Sequence, residues 1–417
     1  MAVQNTPTTL SAYLKEIYAD QILSLVPEGI KVTEAIDFVE SEKEPGGHYN
    51  QPVQLTGEFG FSAGSGAFAL NAAVAHQSAN AQVNGSSVLL RSVISYDAAA
   101  RASTSKKAFM KWSETKFIPM LSSFRKRLEI LALYGQMGIG KISGAPTVSN
   151  TVDAACVIDS AQWATGIWAG SEGMPVQIYT ALTAGTNHTA NVAAYVKTVD
   201  IANKTVTFTC ANGTDANALA SGDYIFFYGF RGNEMAGLAA ITANAGTLFN
   251  VSASTYSLWA ANSQTCSSAA LNMTKLLKGA ALPVGKGLEE KLTVFLSPGA
   301  YTNVNSDLAA LRKFDGSYSK KKLSNGTEAL EFHGVNGTME LVPSIYIKEG
   351  HAIGIPTKQC MRIGGTDITM AMPGQPAEQL VLQVPDYAAY EMRLYTEQAV
   401  FCQRPGWMIE WTNIVNA

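Results

Sequence analysis

Residues 57–71 read GEFGFSAGSGAFALN, and Gly60-Phe61-Ser62-Ala63-Gly64 within them fits G-x-S-x-G, the pattern of a hydrolase nucleophile elbow. An elbow makes the chain a serine hydrolase with Ser62 as nucleophile. It needs a tight turn from strand into helix, with an acid and a histidine further along the chain. A strand signal does come first. Val53, Leu55, Phe59 and Phe61 fall on odd positions with mostly polar or small residues between them, the period of a strand. No helix signal follows, because Gly66 and the stretch from Asn71 to Ser87 read as flexible chain. The downstream histidines, His76, His188, His333 and His351, show no acidic partner in a strand-end loop. The alternative is a mobile loop tip in which glycines supply positive φ. The residues favour it.

Outward from the tip, the chain changes character several times. Residues 1–50 read as an arm, with a short amphipathic helix over about 9–25 carrying Leu10, Tyr13, Leu14, Ile17 and Ile22 on one side. Residues 51–97 read as a long β excursion that ends in a second strand, SSVLLRSVISYD. Residues 98–144 begin with a helix to about 137. Phe109, Trp112, Met120, Phe124, Leu128 and Leu131 recur at helical steps, and Lys107, Lys111, Arg125 and Glu129 occupy the opposite face. Pro119 is expected to kink or split it.

Residues 145–275 read as a small β-rich insertion. AYVKTVDIANKTVTFTCANG suggests two strands around an Asn-Lys turn, and SGDYIFFYG a third. Residues 276–417 form a further α+β unit. LTVFL is a strand, Ser297 a helix N-cap, and Pro298 the first helical residue. Strands follow at MELVPSIYI, HAIGIP, EQLVLQVP and YEMRLYTEQAVFCQ, then a turn at Arg404-Pro405-Gly406 and a final strand.

Composition narrows the function classes. Of 417 residues 47% are apolar but only 15% are charged, at a formal net charge of -3, so much of the surface is neutral or buried against other chains. A net negative chain is not a dedicated nucleic-acid binder. The clusters Arg125-Lys126-Arg127 and Lys320-Lys321-Lys322 read as solvated or intersubunit charge, or as loose phosphate contacts. No run of apolar residues is long enough for a membrane span. The N-terminal stretch lacks the features of a secretory leader. With the five dispersed cysteines, this predicts reduced thiols. The histidines lack metal-ligand spacing and no phosphate loop occurs, so no metal and no cofactor are expected.

Phe59, Phe61, Phe68 and Leu70 cannot be buried by an excursion with little core of its own. They imply a self-assembling subunit whose extensions lie across its neighbours.

In the order of its elements the chain resembles the tailed-phage major capsid proteins of the Hong Kong-type capsid fold. The strand–Ser297-Pro298–helix unit of VFLSPGAYTNVNSDLAAL is similar to that family's axial-domain unit. GVNGTMELVPSIYIKEGHAIGIP resembles the next unit, and YEMRLYTEQAVFCQRPGWMIEWTN the closing strand pair. The resemblance implies an α+β fold with N-terminal arm, extended β-loop, long spine helix, and peripheral and axial domains. It implies a non-enzymatic subunit of an icosahedral virion, made in the host cytoplasm, that forms pentamers and hexamers around double-stranded DNA. Partners would be further copies, a separate scaffolding protein, a portal, and a cement or decoration protein. Phe59, Phe61, Gly64, Gly66 and Phe68 would be intersubunit contacts. The loop tip has no lysine, so the covalent lysine–asparagine crosslink of some members is not expected. An encapsulin-like nanocompartment shell shares the fold and remains an alternative, as does the hydrolase.

Overall fold

The computed structural model describes residues 29–40, 48–97, 112–189, 192–307, 330–333, 337–371, 382–384 and 387–416. The arm helix expected at 9–25, the first part of the expected long helix and Lys320–Lys322 lie outside them.

Three sheets share the architecture. A five-stranded sheet joins β1 (Phe38–Glu40), β19 (Cys360–Thr369), β21 (Ala389–Cys402), β20 (Leu382–Gln383) and β4 (Ser86–Ser95). A seven-stranded sheet runs β5 (Gly140–Lys141), β11 (Tyr224–Phe227), β8 (Pro175–Tyr179), β9 (Ala194–Asp200), β10 (Thr205–Thr209), β7 (Asp153–Val157), β6 (Thr147–Ser149). A six-stranded sheet runs β14 (Asn262–Ala269), β22 (Ile409–Ile414), β18 (Ala352–Ile355), β15 (Leu292–Leu296), β17 (Thr338–Pro343), β16 (Leu330–His333). Two ribbons complete the strands, β2 (His48–Gln54) with β3 (Ser78–Asn84), and β12 (Thr247–Leu248) with β13 (Val251–Ser252).

Helix α1 (Val32–Ala35) packs on the spine helix α2 (Trp112–Tyr134). Met120, Phe124, Leu128 and Leu131 bury the apolar stripe of α2, as its spacing predicts. Pro119 does not split the helix. Packing of Met120 and Phe124 just beyond it outweighs the roughly 3 kcal/mol that an interior proline costs. Glu129, expected on the polar face, is fully buried.

Short helices α3 (Thr165–Trp168), α4 (Gly213–Ala218) and α5 (Leu238–Thr242) link the strands that follow. The β9–β10 hairpin forms where the Asn-Lys turn predicts it, with Lys204 left-handed at φ 53°. The core of the seven-stranded sheet, including Trp168, Val206 and Phe208, is continuous with that of α2.

Helix α6 (Met273–Gly285) is absent from the sequence reading. It is capped by Asn272, whose side chain accepts the Lys275 N–H, and it lies against β22 at Gly279, where a Cβ would come 2.2 Å from Trp411 Nε1. Only glycine permits that approach. Strand β15 is buried along its whole length. It delivers Ser297, whose hydroxyl caps α7 (Pro298–Asn305) by accepting the Ala300 N–H, with Pro298 at the first position. The strand expected at MELVPSIYI stops at Pro343, and Tyr346 and Ile347 are instead buried in a turn. Of EQLVLQVP, the described part forms only the two-residue β20.

Candidate functional site

The β excursion divides differently from its period-two pattern. The ladder pairs His48–Gln54 with Ser78–Asn84, and residues 55–77 carry no strand. The expected strand at 53–61 therefore ends at Gln54, and the passage read as flexible contains β3. Strand β4 leaves the excursion altogether. It pairs with β21 in unbroken register from Ser86↔Gln398 to Ser95↔Ala389.

The root of the β2–β3 ribbon is welded to the body. Leu55, Ala81 and Val83 are buried. Tyr49 and Phe249 each meet the Phe401 ring edge-on, at 6.0 and 5.2 Å. The Gln82 N–H donates to the Phe249 carbonyl at 2.9 Å.

The tip is the opposite. Phe61 is 83% exposed, Leu70 82% and Phe59 61%, with Phe68 and Val74 also exposed. These apolar residues gather beyond the end of the β2–β3 ladder. Ser62 serves the turn itself. Its hydroxyl accepts the Asn71 N–H at 2.7 Å, and the Asn71 amide donates to the Phe61 carbonyl at 2.8 Å. His76 lies 3.1 Å from Glu58, both on the exposed loop. Gly66 adopts φ +75°, and a Cβ on Gly64 would meet Phe68 at 2.6 Å.

Where the arm enters the body, one buried carboxylate holds it. Glu129 accepts the N–H groups of Lys31 (3.1 Å), Val32 (2.8 Å) and Thr33 (2.8 Å), and the Thr33 hydroxyl at 2.7 Å. Its neighbours on α2 also depart from expectation. Lys126 Nζ donates to the Ala169 carbonyl at 3.0 Å, and burial lowers its pKa to about 8. The Arg127 guanidinium stacks 3.4 Å above the Phe227 ring, and burial lowers its pKa to about 10, which leaves it charged. Lys126 thus ties the spine to the end of α3 and Arg127 packs it onto β11, and both side chains are part-buried. Arg125 alone of the three is exposed.

A polar chain crosses the interior between spine and six-stranded sheet. Lys348 is buried, and its Nζ donates to the Gly138 carbonyl (3.0 Å) and Gln162 Oε1 (2.7 Å), while its N–H donates to the Tyr134 hydroxyl at 2.7 Å. Gln162 Nε2 lies 3.0 Å from His351 Nε2, and His351 Nδ1 lies 2.8 Å from Glu410. A neutral His351 protonated at Nδ1 satisfies both contacts. His351 thus has the acidic partner that the sequence does not show, as does His188, 3.2 Å from Asp223. In both cases the partner comes from a distant strand or turn.

Burial lowers the Lys348 pKa from 10.5 to about 7, against the opposing charges of Glu410 and Asp159. From about pH 7 to about pH 10 the unfolded chain holds this proton and the folded chain does not. Unfolding takes up a proton, so stability rises with pH there. Below that window both states are protonated and the burial penalty is felt in full. In Lys348→Met this rise is expected to vanish, by up to about 1.4 kcal/mol per pH unit. Urea unfolding of the unassembled chain at successive pH values checks it; parallel curves for variant and wild type would exclude Lys348 as the source.

Among the described residues no cluster of three or more His, Cys, Asp or Glu side chains could hold a metal, and no helix is long and apolar enough to cross a membrane.

No protein-family model matches the sequence, and no curated protein matches it. Solved structures do match. The cyanophage A-1(L) capsid asymmetric unit aligns over 98% of this chain and 99% of that one, with TM-score 0.58 at 11% identity. The capsid of the native GTA particle aligns over 99% and 100%, with TM-score 0.53 at 8% identity. The holo-SrpI encapsulin complex from Synechococcus elongatus PCC 7942 aligns over 99% and 96%, with TM-score 0.45 at 7% identity. In element order, mixed α+β layers and full-length correspondence, this chain has the fold of tailed-phage capsid proteins.

Proposed function

We propose that the chain is a structural subunit that assembles into the icosahedral shell of a tailed double-stranded DNA phage, as pentamers and hexamers that enclose the genome. The observation that carries this is the apolar loop tip, exposed beyond the β2–β3 ladder, in a chain with a capsid fold. Phe59, Phe61 and Phe68 seat on an adjacent copy, and Gly64 and Gly66 shape the tip that presents them. Head-to-tail contacts of this kind close into rings, and many modest contacts sum to a strong shell. Scaffolding, portal and cement proteins are the further partners this role implies, with weak, sequence-independent contact to packaged DNA. The role places the protein in the virion, after synthesis in the host cytoplasm.

Expression of the chain alone, followed by negative-stain electron microscopy and size-exclusion chromatography, tests the reading. Shells, tubes or large capsomers are expected. A monodisperse monomer stable to dilution would overturn it. Particles that enclose protein cargo and no DNA in an infected cell would replace the virion with a nanocompartment.

The tip geometry supports a narrower expectation. Gly64→Val with Gly66→Val drives a side chain into Phe68 and forces a β-branched residue to positive φ. The fold should survive, since the tip lies outside the core. Each productive contact should weaken at least about tenfold, about 1.4 kcal/mol, and particle yield should fall steeply. Particle counts by electron microscopy decide it, and normal particles would remove the loop from the assembly surface.

A further inference from the structure

We infer that Cys360 and Cys402 form a cross-strand disulfide site, open as thiols in the folded chain and closed by oxidation to staple the neck between two sheets. All five cysteines are buried free thiols. Cys360 begins β19 and Cys402 ends β21, and the register sets them directly opposite each other. The Gln403 N–H donates to the Gln359 carbonyl at 2.9 Å. The bond just outside the pair makes Cys360 and Cys402 a non-hydrogen-bonded pair, the class with the closest side chains and Cα atoms about 4.5 Å apart. A disulfide accepts Cα separations of about 4.4–6.8 Å. Both side chains are buried side by side between the strands. The other cysteines lack this arrangement: Cys156 faces Val206, and Cys266 lies where the β14 register shifts.

The position gives the link its consequence. The chain leaves the six-stranded sheet at Ile355, turns through Thr357–Gln359 and enters β19 at Cys360. It returns at Cys402, turns through Pro405–Trp407 and re-enters the six-stranded sheet at Ile409. Both crossings between the sheets therefore pass through this pair. A covalent bond there ties them together and encloses residues 361–401 in a loop, which restricts the unfolded chain.

The adjacent Cys402 thiol and burial hold the Cys360 thiol well above the ordinary range, so the pair reacts slowly while the strands are joined. Fraying at the strand ends admits a hydroperoxide. One thiolate attacks a peroxide oxygen, the O–O bond breaks, and the departing hydroxide takes a proton to give water and a sulfenic acid. The second thiol attacks the sulfenic sulfur, the S–S bond forms, and a second water leaves. Two thiols are oxidised and one hydrogen peroxide is reduced to two waters. A reducing cytoplasm keeps the site open. Closure after release, which would harden an assembled particle, rests on the shell reading; the link itself rests on strand register alone.

The experiment treats the purified full-length chain with hydrogen peroxide, just below its melting temperature, where strand ends open. Remaining thiols are alkylated under denaturing conditions and a non-reduced digest is read by mass spectrometry. One linked peptide pair containing Cys360 and Cys402 is expected, separable by dithiothreitol, with Cys156, Cys210 and Cys266 recovered alkylated. The oxidised chain should melt several degrees higher. Cys360→Ala and Cys402→Ala should each lose both effects, and Cys266→Ala should keep them. Recovery of Cys360 and Cys402 as alkylated thiols, or as sulfinic acids without a link, would overturn the assignment. Links only between chains would do the same. The readout is independent of assembly, so its failure is distinct from failure of the shell reading.

Discussion

Replacement of Phe59, Phe61 and Phe68 by serine should leave the folded chain nearly unchanged but weaken each intersubunit contact at least about 100-fold, equivalent to about 2.7 kcal/mol, and remove nearly all particles. The two halves of that expectation have separate causes. Phe61 and Phe59 are 83% and 61% exposed, and substitutions at such sites usually shift stability by no more than about 0.5 kcal/mol. Seated against a neighbour, each phenyl ring contributes about 1.5–3 kcal/mol by leaving water. A loss of that size recurs at every contact of a multivalent assembly. Urea unfolding of the unassembled variant, beside particle counts by electron microscopy, measures both. Wild-type particle yield would show that the tip is not an interface. A large loss of stability would show that it is part of the core.

A second large effect is expected inside the molecule. Glu129→Ala should destabilise the chain by about 3–5 kcal/mol. The carboxylate is fully buried and takes hydrogen bonds from three backbone N–H groups and one hydroxyl. Its removal leaves those donors without an acceptor, at about 1–3 kcal/mol for each that stays buried. Glu129→Gln keeps one carbonyl acceptor but turns an NH₂ toward the other donors, so it should recover only part of the loss. Equilibrium unfolding of all three proteins checks this. A loss below about 1 kcal/mol in the alanine variant would mean that water replaces the carboxylate and that the arm is held by other contacts.

These predictions rest on features of unequal visibility. The unit from Leu292 to Asn305 was legible because every cause is local. A fully apolar strand, a serine cap and a proline at the first helical position act within a few residues of one another. The β9–β10 hairpin and the apolar stripe of α2 are legible for the same reason. The loop-tip phenylalanines were legible as a set without a core to enter, although the period-two pattern around them extends past the strand that forms.

Partners distant in sequence were not legible. Glu129 looked like one more charge on a helix face, because its acceptor role is created by backbone 96–98 residues earlier. The acidic partner of His351 was not legible because Glu410 arrives on the neighbouring part of the sheet, 59 residues later. Lys126 and Arg127 read as surface charge until the 165–169 turn and Phe227 close over them. Strand β4 carries a pattern equally suited to an excursion or a sheet, and only the fourteen-residue β21 selects the sheet.

The amino-acid sequence by itself determined the local elements, the ordered units that resemble a capsid subunit, and a tip that the chain could not bury alone. Tertiary structure decided which strands pair, which charges are interior, and that Cys360 meets Cys402. The physical reason is range: caps, turns and periodicity act over a few residues, whereas strand register and charge burial depend on segments that meet only after the chain has folded.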